Sequence, residues 1–315
     1  MAFEYTHDQQ NGLDIVDSPS LKLTVRRLGA EMIGLTRKHP QHGDVGLIWR
    51  NVELEDPPCF WKSHATVLFP IVGGVHNLKS TTTDGIEVQF NKQHGFIRHS
   101  TLELIEAKEQ DDHFLLAYRL KNNYETMALY PWQFSLTIIY RLFAKRLEQE
   151  MTVENRDEKP MPYQLGWHPG FNTPFLAGEK KDCHLRLPQG WIVKMLNDEH
   201  CYLTGQKQTI ASKHDFQFTE KELDLTYMFD LSDMPSGKRV VELLDPDETF
   251  GVRVHFPDYP HLGIWSDADA PFICIEPWQG MDDSVEQEPF DQKFGMVLLP
   301  PGAVDSRRAW IESIG

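Results

Sequence analysis

Basic residues are scarce: 31 lysines and arginines stand against 47 aspartates and glutamates, a formal net charge of −16 over 315 residues. Nucleic acid and anionic membranes both require a basic footprint, so neither is expected as a partner. Cysteine is scarce too. Four thiols (Cys59, Cys183, Cys201, Cys274) are too few to staple a chain this long, and their spacing fits no redox or zinc-ribbon pattern. Reduced thiols in a cytoplasmic protein are expected. No run of about eighteen apolar residues is present to span a bilayer. The opening Met1-Ala-Phe-Glu-Tyr-Thr-His lacks the basic patch and apolar core of a signal peptide. Also missing are a phosphate-cradling glycine loop, a dinucleotide fingerprint, a Gly-x-Ser-x-Gly elbow and a His-Glu-x-x-His helix. No cofactor and no metal is therefore expected.

What the chain does contain is strand pattern. Phe250, Val252, Val254 and Phe256 alternate with Gly251, Arg253 and His255, which sorts the two kinds onto opposite faces of a sheet. Phe134, Leu136, Ile138, Tyr140 and Leu142 do the same, and Leu147, Met151 and Val153 continue less cleanly. Further strands are predicted from Leu21 to Arg27, Thr66 to Val72, Glu87 to Phe90, Leu102 to Ile105, Phe114 to Leu120, Trp191 to Leu196, Arg239 to Leu244, Ile273 to Glu276 and Gly295 to Leu299. Turn formers such as Asp84-Gly85, Pro57-Pro58 and Asp245-Pro246-Asp247 separate them. No convincing amphipathic helix exceeds about three turns. The pattern predicts a mainly β protein with few short helices, one domain over residues 1–315, built as a large antiparallel β-sandwich.

Among 14 histidines, spacing has to discriminate. Cys183-His184 and His200-Cys201 look like a symmetric ligand set, but zinc knuckles separate paired ligands by about two to four residues. Adjacent side chains on a strand also point to opposite faces. His39 and His42 lie in a polar loop, and His99, His113, His214 and His261 are expected in exposed turns.

Three stretches differ. If His94-Gly95-Phe96-Ile97-Arg98 is extended, His94, Phe96 and Arg98 share one face and offer a neutral donor, an aromatic surface and a guanidinium fork. In Gly166-Trp167-His168-Pro169-Gly170-Phe171-Asn172, Pro169 forces extended geometry on the histidine, and the glycines permit close approach. In Cys274-Ile275-Glu276-Pro277-Trp278-Gln279-Gly280, Glu276 ends an apolar run, where an ionised carboxylate is costly unless paired or working. An imidazole and a carboxylate, each beside a tryptophan and a proline, point to a general acid and a general base. Indoles such as Trp278 suit the apolar C–H face of a carbohydrate.

Those stretches, preceded by Phe69-Pro70-Ile71-Val72-Gly73, resemble in order and spacing the aldose 1-epimerase (galactose mutarotase) superfamily, specifically its bacterial aldose-epimerase-like branch. The resemblance covers roughly residues 15 to 312. It implies a galactose-mutarotase-type supersandwich and a cofactor-independent isomerase that interconverts the α and β anomers of a free hexose. It further implies His168 as the general acid, Glu276 as the general base, and His94 and Arg98 as sugar contacts. Asp224 falls near the aspartate that holds sugar hydroxyls, with Asp230 as a competitor. Many relatives carry an arginine where this chain has Gly74 and Val75, so that contact is expected either to be missing or to be replaced by His76 or Lys62.

In this scheme Glu276 takes the proton from the anomeric hydroxyl while protonated His168 gives one to the ring oxygen. The ring opens to the aldehyde, rotates about C1–C2, and recloses on the other carbonyl face. The two groups are expected to face each other across a solvent-filled cleft about one pyranose ring apart, with a nearby carboxylate raising the pKa of the histidine. Rival expectations are a hexose-6-phosphate 1-epimerase, a non-catalytic carbohydrate-binding protein, and a glycoside hydrolase, for which Asp224, Asp267, Asp282 or Asp283 would supply the second carboxylate. The assembly is expected to be a monomer or a homodimer.

Overall fold

The computed structural model describes residues 2–54, 60–212, 225–267 and 269–315. Among them the one α-helix, Tyr124–Leu129, opens on a capping box made by Asn123 and Thr126. No described helix is long and apolar enough to cross a membrane. Nearly all other regular structure is antiparallel strand, as the alternating pattern predicts.

Three sheets carry the architecture. A five-stranded meander, Glu4–Asp8, Leu13–Asp17, Leu21–Arg26, Glu31–His39 and Gly43–Gly46, pairs in chain order. An eight-stranded sheet runs in the spatial order His184–Arg186, Val240–Leu244, Gly251–His255, Val304–Ile314, Arg146–Asn155, Phe134–Leu142, Phe114–Lys121 and Glu103–Glu109. A seven-stranded sheet orders Leu203–Ser212, Gly190–Asn197, Tyr227–Asp230, His261–Trp265, Phe272–Gln279, Leu165–Asn172 and Ala65–Leu68. The last strand stops short of the predicted Val72, because Pro70 has no amide to give a ladder.

The two larger sheets share one core. Leu136, Ile138 and Tyr140 of the eight-stranded sheet belong to the same buried cluster as Leu165, Trp167, Phe171, Ile273 and Ile275 of the seven-stranded sheet. Side chains alternate along a strand, so the odd-numbered residues of these two strands fill the core and the even-numbered ones point the other way. Those are Gly166, His168 and Gly170 on one strand, and Cys274, Glu276 and Trp278 on its neighbour. Loops cover that second face, which is why both strands are buried nearly throughout.

Two local expectations fail. The His94–Arg98 stretch is not an extended strand: His94 is left-handed at φ 66°, and Ile97–His99 forms a 3₁₀ turn. His261 is not in an exposed turn; it is buried at the start of His261–Trp265, and its Nδ1 accepts the Gly280 amide at 3.1 Å.

Candidate active site

The strands Leu165–Asn172 and Phe272–Gln279 pair through Gly166–Trp278 and Gly170–Cys274, a register that sets His168 opposite Glu276. His168 Nε2 lies 3.1 Å from Glu276 Oε2. The contact lacks hydrogen-bond alignment: neither carboxyl oxygen, nor His168 Nδ1, has a partner among the described residues. The two side chains form part of the floor of a cleft of about 500 Å³, also lined by Trp61, His94, Arg98, Trp265, Asp267, Trp278 and Asp282.

The expected ring-wide gap is therefore absent: the register makes the two residues cross-strand neighbours on one face of the sheet, which puts their side chains in contact.

Electrostatics also depart from expectation. Burial, helped by the nearby Arg98 charge, lowers the His168 pKa to about 3, so the imidazole is neutral at neutral pH. Burial pushes the Glu276 carboxyl well above its usual range; the Asp282 charge adds to this, and only the nearby Trp278 indole N–H, which is out of hydrogen-bond alignment, opposes it. Burial thus favours the neutral form of both groups, a neutral imidazole beside a protonated carboxyl. Nearby carboxylates do not raise the histidine enough to charge it, because desolvation outweighs them.

Aromatic rings hold the imidazole. Trp61 stacks on it at 4.7 Å between centroids, Trp265 meets it edge-on at 6.0 Å, and His94 stands at 90° to it at 5.6 Å. His94 Nδ1 accepts the Gly73 amide at 2.9 Å, which leaves the proton on Nε2. Burial keeps this ring neutral as well, with His168 and Arg98 adding to the effect. Trp278 lies close against the sheet between Gly166 and Gly263, where added Cβ atoms would fall 2.8 and 2.7 Å from its indole. Two strands must lack side chains for this ring to lie down.

Of the residues the sequence singles out, His168, Glu276, His94, Arg98 and Trp278 all line this cleft. His76 does not take the place of the missing arginine: its ring stacks on Tyr202 at 4.0 Å and its Nε2 lies 2.8 Å from the Ser284 carbonyl. Asp230 is bonded to Ser232 Oγ at 2.5 Å and faces His261. Asp224 lies outside the described residues. Trp61 and Trp265 line the site without having been singled out from sequence, and Asp267 and Asp282, named there only as second carboxylates for a glycoside hydrolase, line it too. Asp267 carries a local signal in hindsight, since it follows Trp265 at the end of an apolar strand. His168, Cys274 and Glu276 offer ligand atoms within 4.8 Å of one another. Burial holds the Cys274 thiol well above its ordinary pKa, which disfavours the thiolate that a metal would need.

Two large antiparallel sheets thus hold a histidine and a glutamate side by side in an indole-lined cleft, and comparison with known proteins gives the class of protein that shares this fold. The aldose 1-epimerase family profile matches residues 17–311. The chain belongs to the aldose 1-epimerase family. It is 31% identical over 240 residues to the chromosomal protein LacX of Lactococcus lactis subsp. lactis, spanning 73% of this chain and 78% of that one. A galactose mutarotase related enzyme from Lactobacillus acidophilus superposes with a TM-score of 0.84 at 26% identity, covering 96% of this chain and 97% of the other. A galactose mutarotase-like protein from Lactobacillus casei gives 0.81 at 24% identity, covering 96% and 100%. The fold is thus that of the galactose mutarotase-like β-sandwiches.

Proposed function

We propose that the protein is an aldose 1-epimerase acting on a free hexose, with His168 and Glu276 as its proton-transfer pair. The observation that carries this is the 3.1 Å juxtaposition of an imidazole and a carboxyl group, both unsatisfied, within an indole-lined cleft.

The resting pair already holds the one proton the reaction needs. A bound sugar brings hydroxyl donors to the Glu276 carboxyl, which favours its ionised form. The proton then crosses to His168 Nε2. From there it goes to the ring oxygen as the carboxylate takes the anomeric proton, and the C1–O5 bond breaks. After rotation about C1–C2 the transfers run backward, and the pair returns to its starting count of protons. Trp278 and Trp61 supply apolar faces, and His94 Nε2–H and Arg98 supply donors.

Charge favours an unphosphorylated substrate. A phosphate dianion would meet one guanidinium, Arg98, against the carboxyls of Asp267, Glu276 and Asp282 among the described lining. Polarimetry of freshly dissolved α-D-glucose and α-D-galactose tests the reading. Wild type should speed the approach to equilibrium, and Glu276→Gln and His168→Asn should each slow it by about 10²- to 10⁴-fold. Undiminished catalysis by Glu276→Gln would remove this carboxyl from the mechanism.

A further inference from the structure

Asp282 is a second carboxyl group in the cleft, and its surroundings are those of a binding group. Its residue is 8% exposed, and it lines the cleft with Glu276. Oδ1 accepts the Gly74 amide at 2.7 Å; apart from that amide and its own, no described group donates to the carboxylate. The Gly73-Gly74 turn exists to admit it. Gly73 is left-handed at φ 68°, and a Cβ there would fall 2.2 Å from both Cγ and Oδ1 of Asp282.

The same turn gives the Gly73 amide to His94 and the Gly74 amide to Asp282, so it fixes a donor and an acceptor side by side at the cleft wall. Behind them the buried Lys293 ammonium is held by the Met281 carbonyl and by Gln164 Oε1 at 3.3 Å. It forms no direct ion pair with Asp282 among the described contacts. Burial raises the Asp282 carboxyl to about 6, and Lys293 and the Gly74 amide hold it there, so it is ionised at neutral pH. A carboxylate this deep, with acceptor capacity unused and open to the cleft, is costly unless a ligand donates to it.

Resting on the aldose epimerase reading, we propose that Asp282 accepts a hydrogen bond from one ring hydroxyl of the sugar and, with His94 Nε2–H as the neighbouring donor, sets which hydroxyl pattern the cleft selects. Asp282 takes no proton in the reaction; it binds.

The experiment compares α-D-glucose, α-D-galactose and the monodeoxy analogues of glucose, in wild type and in Asp282→Asn, by polarimetric progress curves. Wild type should show a KM about ten- to a hundred-fold higher for one monodeoxy sugar than for its parent, the usual worth of a hydrogen bond to a charged group. Asp282→Asn should raise KM for the parent by a similar factor and leave that analogue unchanged, so the discrimination disappears. A merely structural role would weaken both sugars alike. Wild type that treats all the deoxy sugars as it treats the parent overturns the proposal without any variant. So does an Asp282→Asn protein that still discriminates as wild type does. Wild type that accelerates none of these sugars overturns the epimerase reading itself, a distinguishable result.

Discussion

Two buried glutamates in this molecule have opposite fates. Glu31, in the five-stranded sheet, is 2% exposed, and Glu276, in the seven-stranded sheet, is 0% exposed. Burial alone would raise the pKa of both. At Glu31 the effect is outweighed by the His64 side chain and amide and by the Arg26 guanidinium, which hold it at about 2. Its Oε1 accepts the His64 and Ala65 amides at 2.8 and 3.3 Å, and Oε2 is bonded to Arg26. Glu276 has no such donors, and it keeps its proton. Depth is the same, so what separates a carboxylate held ionised from a carboxyl that keeps its proton is whether the chain supplies donors.

The largest effect that tests this contrast is on folding. Glu31→Gln removes the ionised partner of Arg26 in a buried network and should destabilise by roughly 3 kcal/mol. Glu276→Gln replaces a neutral carboxyl by a neutral amide of the same shape and should change stability by less than about 1 kcal/mol near pH 5. Denaturant unfolding of the two variants side by side checks this, and equal losses would show that both carboxyls are structural.

The pH dependence comes next in size. An unfolded glutamate titrates near 4.5, whereas folded Glu276 holds its proton to higher pH. Between those values the folded state binds more protons, so the contribution of Glu276 is full below 4.5 and is lost as pH rises through its folded pKa. His168 has the opposite sign. Its pKa falls from 6.5 to about 3 on folding, so its contribution is present above 6.5 and lost as pH falls toward 3. The Tm of Glu276→Gln relative to wild type should therefore climb as pH rises from 4.5 through the folded pKa of Glu276, while that of His168→Asn should climb from pH 6.5 downward. A Tm difference that is flat in pH would place the pair's proton elsewhere.

Sequence pattern reaches some of this and not the rest, for physical reasons. Phe134–Leu142 is legible because its polar face is less buried than its core face, so side-chain period reports orientation. Leu165–Asn172 is covered on both faces and carries two glycines and a proline, so it reads as a motif and not as a strand. His168 and Glu276 stand out because each is a titratable group in an apolar, proline-stiffened setting. Trp61 does not. Nothing near Phe60-Trp61 says that an indole will lie on an imidazole more than a hundred positions later. Asp282 is named from sequence only as a second carboxylate for glycoside hydrolysis, since its packing against Gly73, across the cleft wall, leaves no local signal. His261 misleads because Pro260 and Gly263 imitate a turn, although Gly263 serves to make room for Trp278.

The smallest expected effect calibrates the comparison. Arg119 and Glu103 form a 3.2 Å ion pair between adjacent strands of the eight-stranded sheet, with side chains 33% and 67% exposed. The partners match the Arg26–Glu31 pair in type, but water solvates both. Glu103→Gln should cost no more than about 0.5 kcal/mol, and added salt should shrink even that. If it instead costs as much as Glu31→Gln, the strength of the Glu31 network lies in the ion pair itself. If the cost is as small as expected, the loss at Glu31 comes from stranding the buried His64 and Ala65 amide donors and a half-buried guanidinium. The same accounting applies to Glu276 in reverse: its carboxyl, which strands no partner when neutralised, is available for proton transfer.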